Sequence, residues 1–280
     1  MMNVSVDEIM VFCMAQQVRD GEVVAQGLAT PMVTAAYLLA RQTHAPNLYF
    51  ASAIGQGICR QPAPLRLSTV EGLWLDRALA SVGFVTVAAD LLPRIQPKEF
   101  FRPAQIDPYG NFNNIAFGKN YLEPRLRLPG TGGIPDVTTY SHQVYLYVPR
   151  HSRLTFVPKL DFVSGLGHHT SRFCGDGPRY LVSNLGQFIF TDPSSEQGRE
   201  KPRLCLITYH PGVNKERIQA KTGFDLLISP EIRETPLPDK DELKLLREEI
   251  DPLRIRCLEL LSGAERRNML QRILEQEKVI

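Results

Sequence analysis

The stretch Asn47–Arg60, "NLYFASAIGQGICR", runs from an aromatic-rich apolar segment into a turn punctuated by Gly55 and Gly57. A strand that ends in a glycine-spaced turn is where α/β enzymes expose reactive side chains, because the backbone can bend sharply there. Ser52 and Gln56 are polar side chains at this bend, and either can position a water. Cys59 offers a thiol, but Arg60 is its only nearby activator, and a small buried apolar role fits it better.

A second loop with chemical promise is "PGTGGIPD", Pro129–Asp136. Gly130, Gly132 and Gly133, with Thr131 between them, let backbone N–H groups approach a ligand and stabilise an oxyanion or phosphate. No Gly-Lys-Ser/Thr follows, so it is not a nucleotide P-loop, and its spacing is not that of a dinucleotide fingerprint. Taken alone, a tight surface turn explains it at least as well. Arg127, just upstream, can hold a carboxylate through two parallel hydrogen bonds, or can be a plain surface charge in "RLRL". In "AQIDPYGNFNN", Asp107, Pro108 and Gly110 are turn formers, and Asn111 and Asn113 either complete the turn or line a cleft. His168 and His169 are adjacent, so they point apart on an extended chain, and no third metal ligand is spaced to join them. His210, before Pro211-Gly212, reads as a turn residue.

The elements that must position these residues follow from local pattern. Ser5 and Glu8 form a capping box ahead of a helix running to about Val18, with Ile9, Phe12 and Cys13 on one face. Glu22–Ala25 reads as a strand, Pro31 opens the helix "MVTAAYLLARQ", and "NLYFASA" is the next strand. Strand–helix–strand is the unit of a parallel α/β sheet. "LWLDRALASV" followed by "GFVTVAAD" reads as a second such unit. Further strands are expected at "QVYLYVPR", "LTFVPKLDFVSG", "RYLVSNLGQFIFTD" and "RLCLITYHPG", rich in β-branched and aromatic residues. "NKERIQAKTG" reads as a helix with Gly223 at its C-terminal cap. The division expected is an α/β domain over 1–236 and a helical tail over 237–280. Leu270, Ile273 and Leu274 form an apolar stripe in that tail, for packing on the domain or on a partner.

Bulk composition excludes several classes. The 280 residues are 43% hydrophobic and 22% charged, which supports a substantial core. Thirty-two basic residues against 30 acidic ones leave a net charge of +2, too little field for nucleic acid or an anionic membrane surface. Five cysteines, at 13, 59, 174, 205 and 257, contain no C-x-x-C pair, so neither a zinc site nor a disulfide framework is expected. No apolar run approaches the roughly 18 residues needed to span a bilayer. "MMNVSVDEIM" carries acids where a signal peptide carries basic residues, so a cytoplasmic location is expected.

Ten segments stand in an order that resembles the family I CoA-transferases, specifically B-type subunits of the glutaconate CoA-transferase kind. They are "GEVVAQGLATP", "THAPNLYF", "AQIDPYGNFN", "RLPGTGG", "TYSH", "KLDFVSGLG", "LVSNLGQFIF", "HPGV", "TGFDL" and "LREEIDP", spread from about Gly21 to Pro252. The resemblance implies an α/β fold with an open, largely parallel sheet flanked by helices. It also implies an A-type partner subunit, in an αβ or α2β2 assembly, with the active site at the A–B interface. Coenzyme A enters as part of the substrate, and no cofactor or metal is implied. In transferases of this family a glutamate at the end of the strand after the Ala-Pro pair attacks the acyl-CoA thioester. The position that matches it here is Ala53, and Gly130–Gly133 match the loop beside the reacting acyl group. Between Glu22 and Glu71 the chain has no Asp or Glu, so no shift of alignment restores a carboxylate nucleophile.

Some family members without this glutamate are CoA-dependent hydrolases that open carbon rings, and others are glutaconyl-type decarboxylases with cysteine at the same place. The expectation is therefore non-covalent hydrolysis or decarboxylation of a CoA thioester. Gly130–Gly133 would donate to an oxyanion, Arg127 would hold a substrate carboxylate, Ser52 or Gln56 a water, and a carboxylate of the A-type partner would act as base. CoA transfer with a nucleophile from elsewhere and a non-catalytic CoA-binding role stay open. Tyr49, Phe50 and Ile54 near the bend weakly favour a bulky acyl chain.

Overall fold

A computed structural model describes residues 3–27, 30–61, 65–68, 77–169, 174–191 and 201–279. They form two compact units, one from Met1–Glu99 with Pro236–Ile280 and one from Phe100–Thr235. No helix among the described residues is long and apolar enough to cross a membrane.

In the first unit, the helix Val6–Ala15 starts where the Ser5 N–H donates to Glu8 Oε2 at 2.8 Å. Strand β1 (Val23–Ala25) leads toward the helix Pro31–Gln42, and β2 (Tyr49–Ser52) returns parallel to β1. β3 (Gly57–Cys59) and β4 (Ala78–Ser81) then continue the sheet antiparallel. On the other side of β1, β5 (Lys98–Phe101) pairs parallel to it. Parallel strands thus form the centre, as expected of a βαβ unit, and a hairpin extends the margin. Tyr37 is fully buried and its hydroxyl donates to the carbonyls of Ala25 (3.1 Å) and Lys98 (3.2 Å), which pins the helix across β1 and β5. Lys98 is buried on the same side, where its ammonium pairs with Glu22 at 2.6 Å and donates to the Gln17 carbonyl.

The second strand–helix–strand reading is corrected. Ala78–Ser81 is a strand, and "GFVTVAAD" is helical: a turn at Phe84–Thr86, a π-helix over Val87–Leu91 and a further turn at Leu92–Ile95. Leu73–Asp76 lie outside the described residues. The valine alternation imitates a strand, but Val85 is exposed and the buried positions are Val87 and Leu92, five apart on the wide π turn.

In the second unit, two short ladders come first: β6 (Gln105–Ile106) with β7 (Phe112–Asn113), and β8 (Ala116–Phe117) with β9 (Leu126–Arg127). The sheet that follows has β10 (Val144–Val148) parallel to β11 (Tyr180–Ser183) and an antiparallel turn through β12 (Gly186–Thr191) and β13 (Arg203–Tyr209). β14 (Leu227–Glu234), parallel to β13, completes it. The helix Lys215–Lys221 lies between the last two strands in sequence, with Ile218 buried in the core. Its C-terminal cap is Thr222. Gly223 follows because a Cβ there would stand 2.4 Å from the Phe156 carbonyl.

"LTFVPKLDFVSG" does not form the expected strand. It makes only isolated bridges, Phe156 to Ile106 and Gly165 to Phe112, since Pro158 removes a donor and Leu154 and Val163 face solvent. Its glycines explain its pairing with "IDPYGNFN". A Cβ at Gly165 would meet the Phe112 ring at 2.2 Å, and one at Gly167 would meet the backbone N of Asn111 at 2.2 Å.

The C-terminal segment belongs to the first unit. It contains the helical run of Lys240–Lys244 and Leu245–Ile250, a 3-10 helix Ile255–Glu259 and the helix Gly263–Gln276. Ile273 of the last helix is buried against Ile255 and Leu258, whereas Leu270 is exposed. Arg256 is buried among Asp7, Glu8 and Asp251, and the Glu259 carboxylate accepts the Met32 N–H at 2.9 Å, at the start of the Pro31 helix.

Candidate active site

The opening stretch folds as a hairpin. β2 and β3 pair with Ser52 opposite Gly57, and Ala53–Gln56 form the turn. Ser52 is buried and its hydroxyl is engaged in holding that turn. It accepts the Gly55 N–H at 2.9 Å and donates to the Gln26 carbonyl at 3.4 Å. Gln56 takes a left-handed conformation at φ 53°, unusual for a residue with a side chain, and its side chain is exposed. Its backbone is fixed at both ends, by the N–H to Ala53 O at 3.2 Å and by the Val82 N–H to its carbonyl at 2.8 Å. Gly57 has a steric reason: a Cβ there would meet the Ala80 carbonyl at 2.7 Å.

Ala53 is partly buried and packs with Val23, Ala51, Val87 and Leu92. Phe50 points to the other face of β2 into the core, while Ile54 is exposed at the tip. Cys59 is buried on β3, and burial pushes its thiol up to about 11, so it is not a thiolate near neutrality.

One acid on the Ala53 face went unnoticed in the sequence. Ala25 of β1 sits between Ala51 of β2 and Glu99 of β5 in register, so all three side chains share one face of the sheet. Ala53, in the turn two residues beyond Ala51, packs on the same cluster as Ala51. The β1–β2 ladder ends at Ala25 and Ala51, and just beyond it a Cβ at Gly27 would be 3.7 Å from Glu99 Oε1. The Glu99 carboxyl therefore reaches along β1 from Ala25 toward Gly27. Glu99 keeps some access to solvent, yet burial pushes its carboxyl up to about 7. The signal that could have found it is a lone acid in the apolar strand "KEFF", on the strand next but one to β2.

The remaining site residues lie in the second unit. Arg127, on β9, is exposed. Its guanidinium donates to the Tyr121 carbonyl at 2.7 Å and lies 4.5 Å from the centre of the Tyr121 ring. Gly130–Gly133 follow directly and are solvent-facing. Gly130 (φ 112°) and Gly132 (φ 52°) need the freedom of glycine, and among the described residues nothing lies within 4 Å of a Cβ at Gly130, Gly132 or Gly133. Gly133 opens the helix Ile134–Tyr140, and Thr131 accepts the Ile134 N–H at 3.1 Å. Among the described residues the loop is thus open on its outer side.

The other polar candidates are structural. Asp107 caps its own turn by accepting the N–H groups of Tyr109 (2.9 Å) and Asn111 (3.0 Å) and the Asn111 amide (2.9 Å). Asn111 in turn accepts the Gly167 N–H at 2.8 Å, and Asn113 is fully buried, donating to Gln105 and to the Ala116 carbonyl at 2.8 Å. His168 bonds the Pro178 carbonyl at 2.8 Å. His210 is buried between Thr235 and the Ser183 carbonyl, and burial lowers it to about 4. No group of three or more metal-binding side chains is clustered among the described residues.

A family model described as coenzyme A transferase matches residues 8–221. The B-type subunit of glutaconate CoA-transferase from Acidaminococcus fermentans is 30% identical over 260 residues, covering 88% of this chain and 92% of that one. The cholesterol ring-cleaving hydrolase IpdB subunit from Mycobacterium tuberculosis is 28% identical over 265 residues, 91% of this chain and 98% of that one. The crystal structure of the decarboxylase AibA/AibB superposes with a TM-score of 0.74 at 28% identity, over 91% of this chain and 98% of that one.

Proposed function

The chain belongs to the coenzyme A transferase family, and on that premise we propose that it is the B-type subunit of a heteromeric enzyme that cleaves a carbon–carbon bond in a CoA thioester without a covalent acyl-enzyme. The bond is broken either by water or by loss of carbon dioxide. The observation that carries this reading is the methyl group of Ala53 at the end of β2, in a stretch with no Asp or Glu between Glu22 and Glu71. A methyl group cannot attack a thioester, so the glutamyl anhydride and glutamyl-CoA of covalent transfer cannot form at position 53.

What the chain retains suits non-covalent chemistry. The open backbone of Gly130–Gly133 can donate to the oxyanion that develops on a thioester carbonyl. Arg127, steadied by the Tyr121 ring, can hold a substrate carboxylate. Ser52 keeps the hairpin turn in shape, and exposed Gln56 is free to orient a water. The partner is an A-type subunit, as the paired names of the decarboxylase AibA/AibB suggest. The chain is about equally similar to transferase subunits, to a ring-cleaving hydrolase subunit and to a decarboxylase, so it is Ala53 that favours carbon–carbon cleavage over transfer.

Product analysis tests this. The complex with its A-type partner is expected to convert a β-oxoacyl-CoA or an unsaturated dicarboxylyl-CoA to a shorter CoA thioester, with a new carboxylate or carbon dioxide. Exchange of CoA onto added acetate or glutaconate with no carbon–carbon cleavage would return the chain to the transferases. Absence of any acyl-CoA binding would mark it as non-catalytic.

A further inference from the structure

We propose that Glu99 of this chain is the proton donor to the carbanion left on the CoA-thioester fragment when the carbon–carbon bond breaks, acting across the space vacated at Ala53. This deepens the reading above and rests on it.

The geometry comes from register and not from chain proximity. Glu99 and Ala51 flank Ala25 on one face, Ala53 packs on the Ala51 cluster, and among the described residues Glu99 Oε1 alone lies within 4 Å of a Cβ at Gly27. A side chain at position 27 would stand 3.7 Å from Glu99 Oε1. Val87, Leu91, Leu92 and Ile95 of the overlying helix pack on the same cluster as Ala51 and Ala53, so the carboxyl borders an apolar surface. Among the described residues, no group hydrogen-bonds to the Glu99 carboxyl, which leaves it available to a ligand.

The surrounding charges do not occupy it. Lys98 points to the opposite face and pairs with Glu22. Asp90 and Arg94 of the overlying helix are exposed to solvent, and Tyr49 is the titratable side chain on this face of β2. Burial alone raises the Glu99 carboxyl to about 7, so protonated and ionised forms coexist near neutrality.

Both cleavages balance with this one group. In decarboxylation the electron pair of the broken bond stays on the thioester fragment, whose carbanion takes the Glu99 proton, and solvent water reprotonates the carboxylate. In hydrolysis the ionised carboxylate first removes a proton from water, and the resulting hydroxide adds to the carbonyl carbon. The carbon–carbon bond then breaks, its electron pair leaves on the thioester fragment as an enolate, and Glu99 returns the proton to carbon.

The test compares the wild-type complex with Glu99→Gln and Glu99→Asp complexes, measuring kcat and KM across pH and solvent deuterium in the product. The wild type is expected to show a kcat limb with its midpoint near pH 7, falling toward alkali for decarboxylation or toward acid for hydrolysis. One deuterium should enter stereospecifically. Glu99→Gln is expected to lose about 100- to 10,000-fold in kcat with little change in KM, and to lose both the limb and the stereospecificity. Glu99→Asp, whose shorter side chain withdraws the carboxyl from Gly27, should be slower yet keep the limb. A wild-type complex that cleaves acyl-CoA alongside a Glu99→Gln complex within about threefold of it, limb intact, overturns the inference and leaves the proposed function standing. A wild-type complex with no carbon–carbon cleavage overturns both.

Discussion

Arg256→Ala is expected to lower folding stability by about 3–5 kcal/mol, the usual cost of removing one partner from a buried ion pair. Arg256 is 1% exposed, and its guanidinium meets Asp7 at 2.7 Å, Asp251 at 2.9 Å and Glu8 at 3.3 Å. All three carboxylates are buried, and the truncation leaves Asp7 and Asp251 without their cation while Glu8 keeps Arg247. Arg247 does not compensate, because its Nε is committed to Glu8 at 2.6 Å and it makes no ion pair with Asp7 or Asp251. Lysine at position 256 should recover only part of the loss, since a single ammonium cannot present the planar fork that reaches three acceptors. Chemical denaturation of the wild type, Arg256→Ala and Arg256→Lys reads these differences.

The same cluster sets an acid limit. Burial alone would raise the Glu8 carboxyl, but hydrogen bonds from Arg247 and Ser5 hold it down at about 2. Its folded value lies below its unfolded one, so its contribution is full above about pH 4.5 and is lost as the pH falls toward 2.

Glu99→Gln is expected to act in the opposite sense on stability and activity. The Glu99 carboxyl sits at about 7 in the fold against 4.5 in the unfolded chain. A raised carboxyl favours the folded state in full below about pH 4.5, and that advantage is lost as the pH rises through 7. Glutamine stays neutral throughout. The variant should therefore match the wild type at pH 4 and exceed it above pH 8 by about 1–3 kcal/mol, a figure reduced from the full shift because the side chain keeps some contact with water. Denaturation midpoints at the two pH values check this. A gain in stability with a loss of rate marks a carboxyl kept at a cost to the fold, as functional groups often are. Equal stability at pH 8 would place the ionised carboxylate in contact with solvent and remove the reason for its raised value.

Much of the architecture was legible because local signals and tertiary demand agreed. Pro31 at the helix start, the Ser5–Glu8 cap and the apolar runs at Tyr49–Ser52 and Val144–Val148 each said the same thing at both levels. "GFVTVAAD" and "LTFVPKLDFVSG" misled because β-branched content says nothing about which side chains find a core. The two glycine-spaced turns were visible, but their reasons differ. Gly57 answers a close strand approach, while Gly130 and Gly132 answer backbone angles. Glu99 and Arg256 were not visible. One is brought beside Ala25, on the Ala51 face of the sheet, through the register of β1 and β5, and the other reaches Asp7 across 249 positions of chain. Neither relation leaves a trace in spacing.

The central claim is that no covalent acyl-enzyme forms on this chain, and chemical trapping addresses it most directly. The complex with its A-type partner is incubated with a substrate acyl-CoA, then treated with hydroxylamine or borohydride, and both chains are examined by intact mass and peptide mapping. No time-dependent mass change is expected on any residue of this chain while substrate is consumed. A hydroxamate, or a reduced side chain that accumulates with turnover on a residue of this chain, would contradict it.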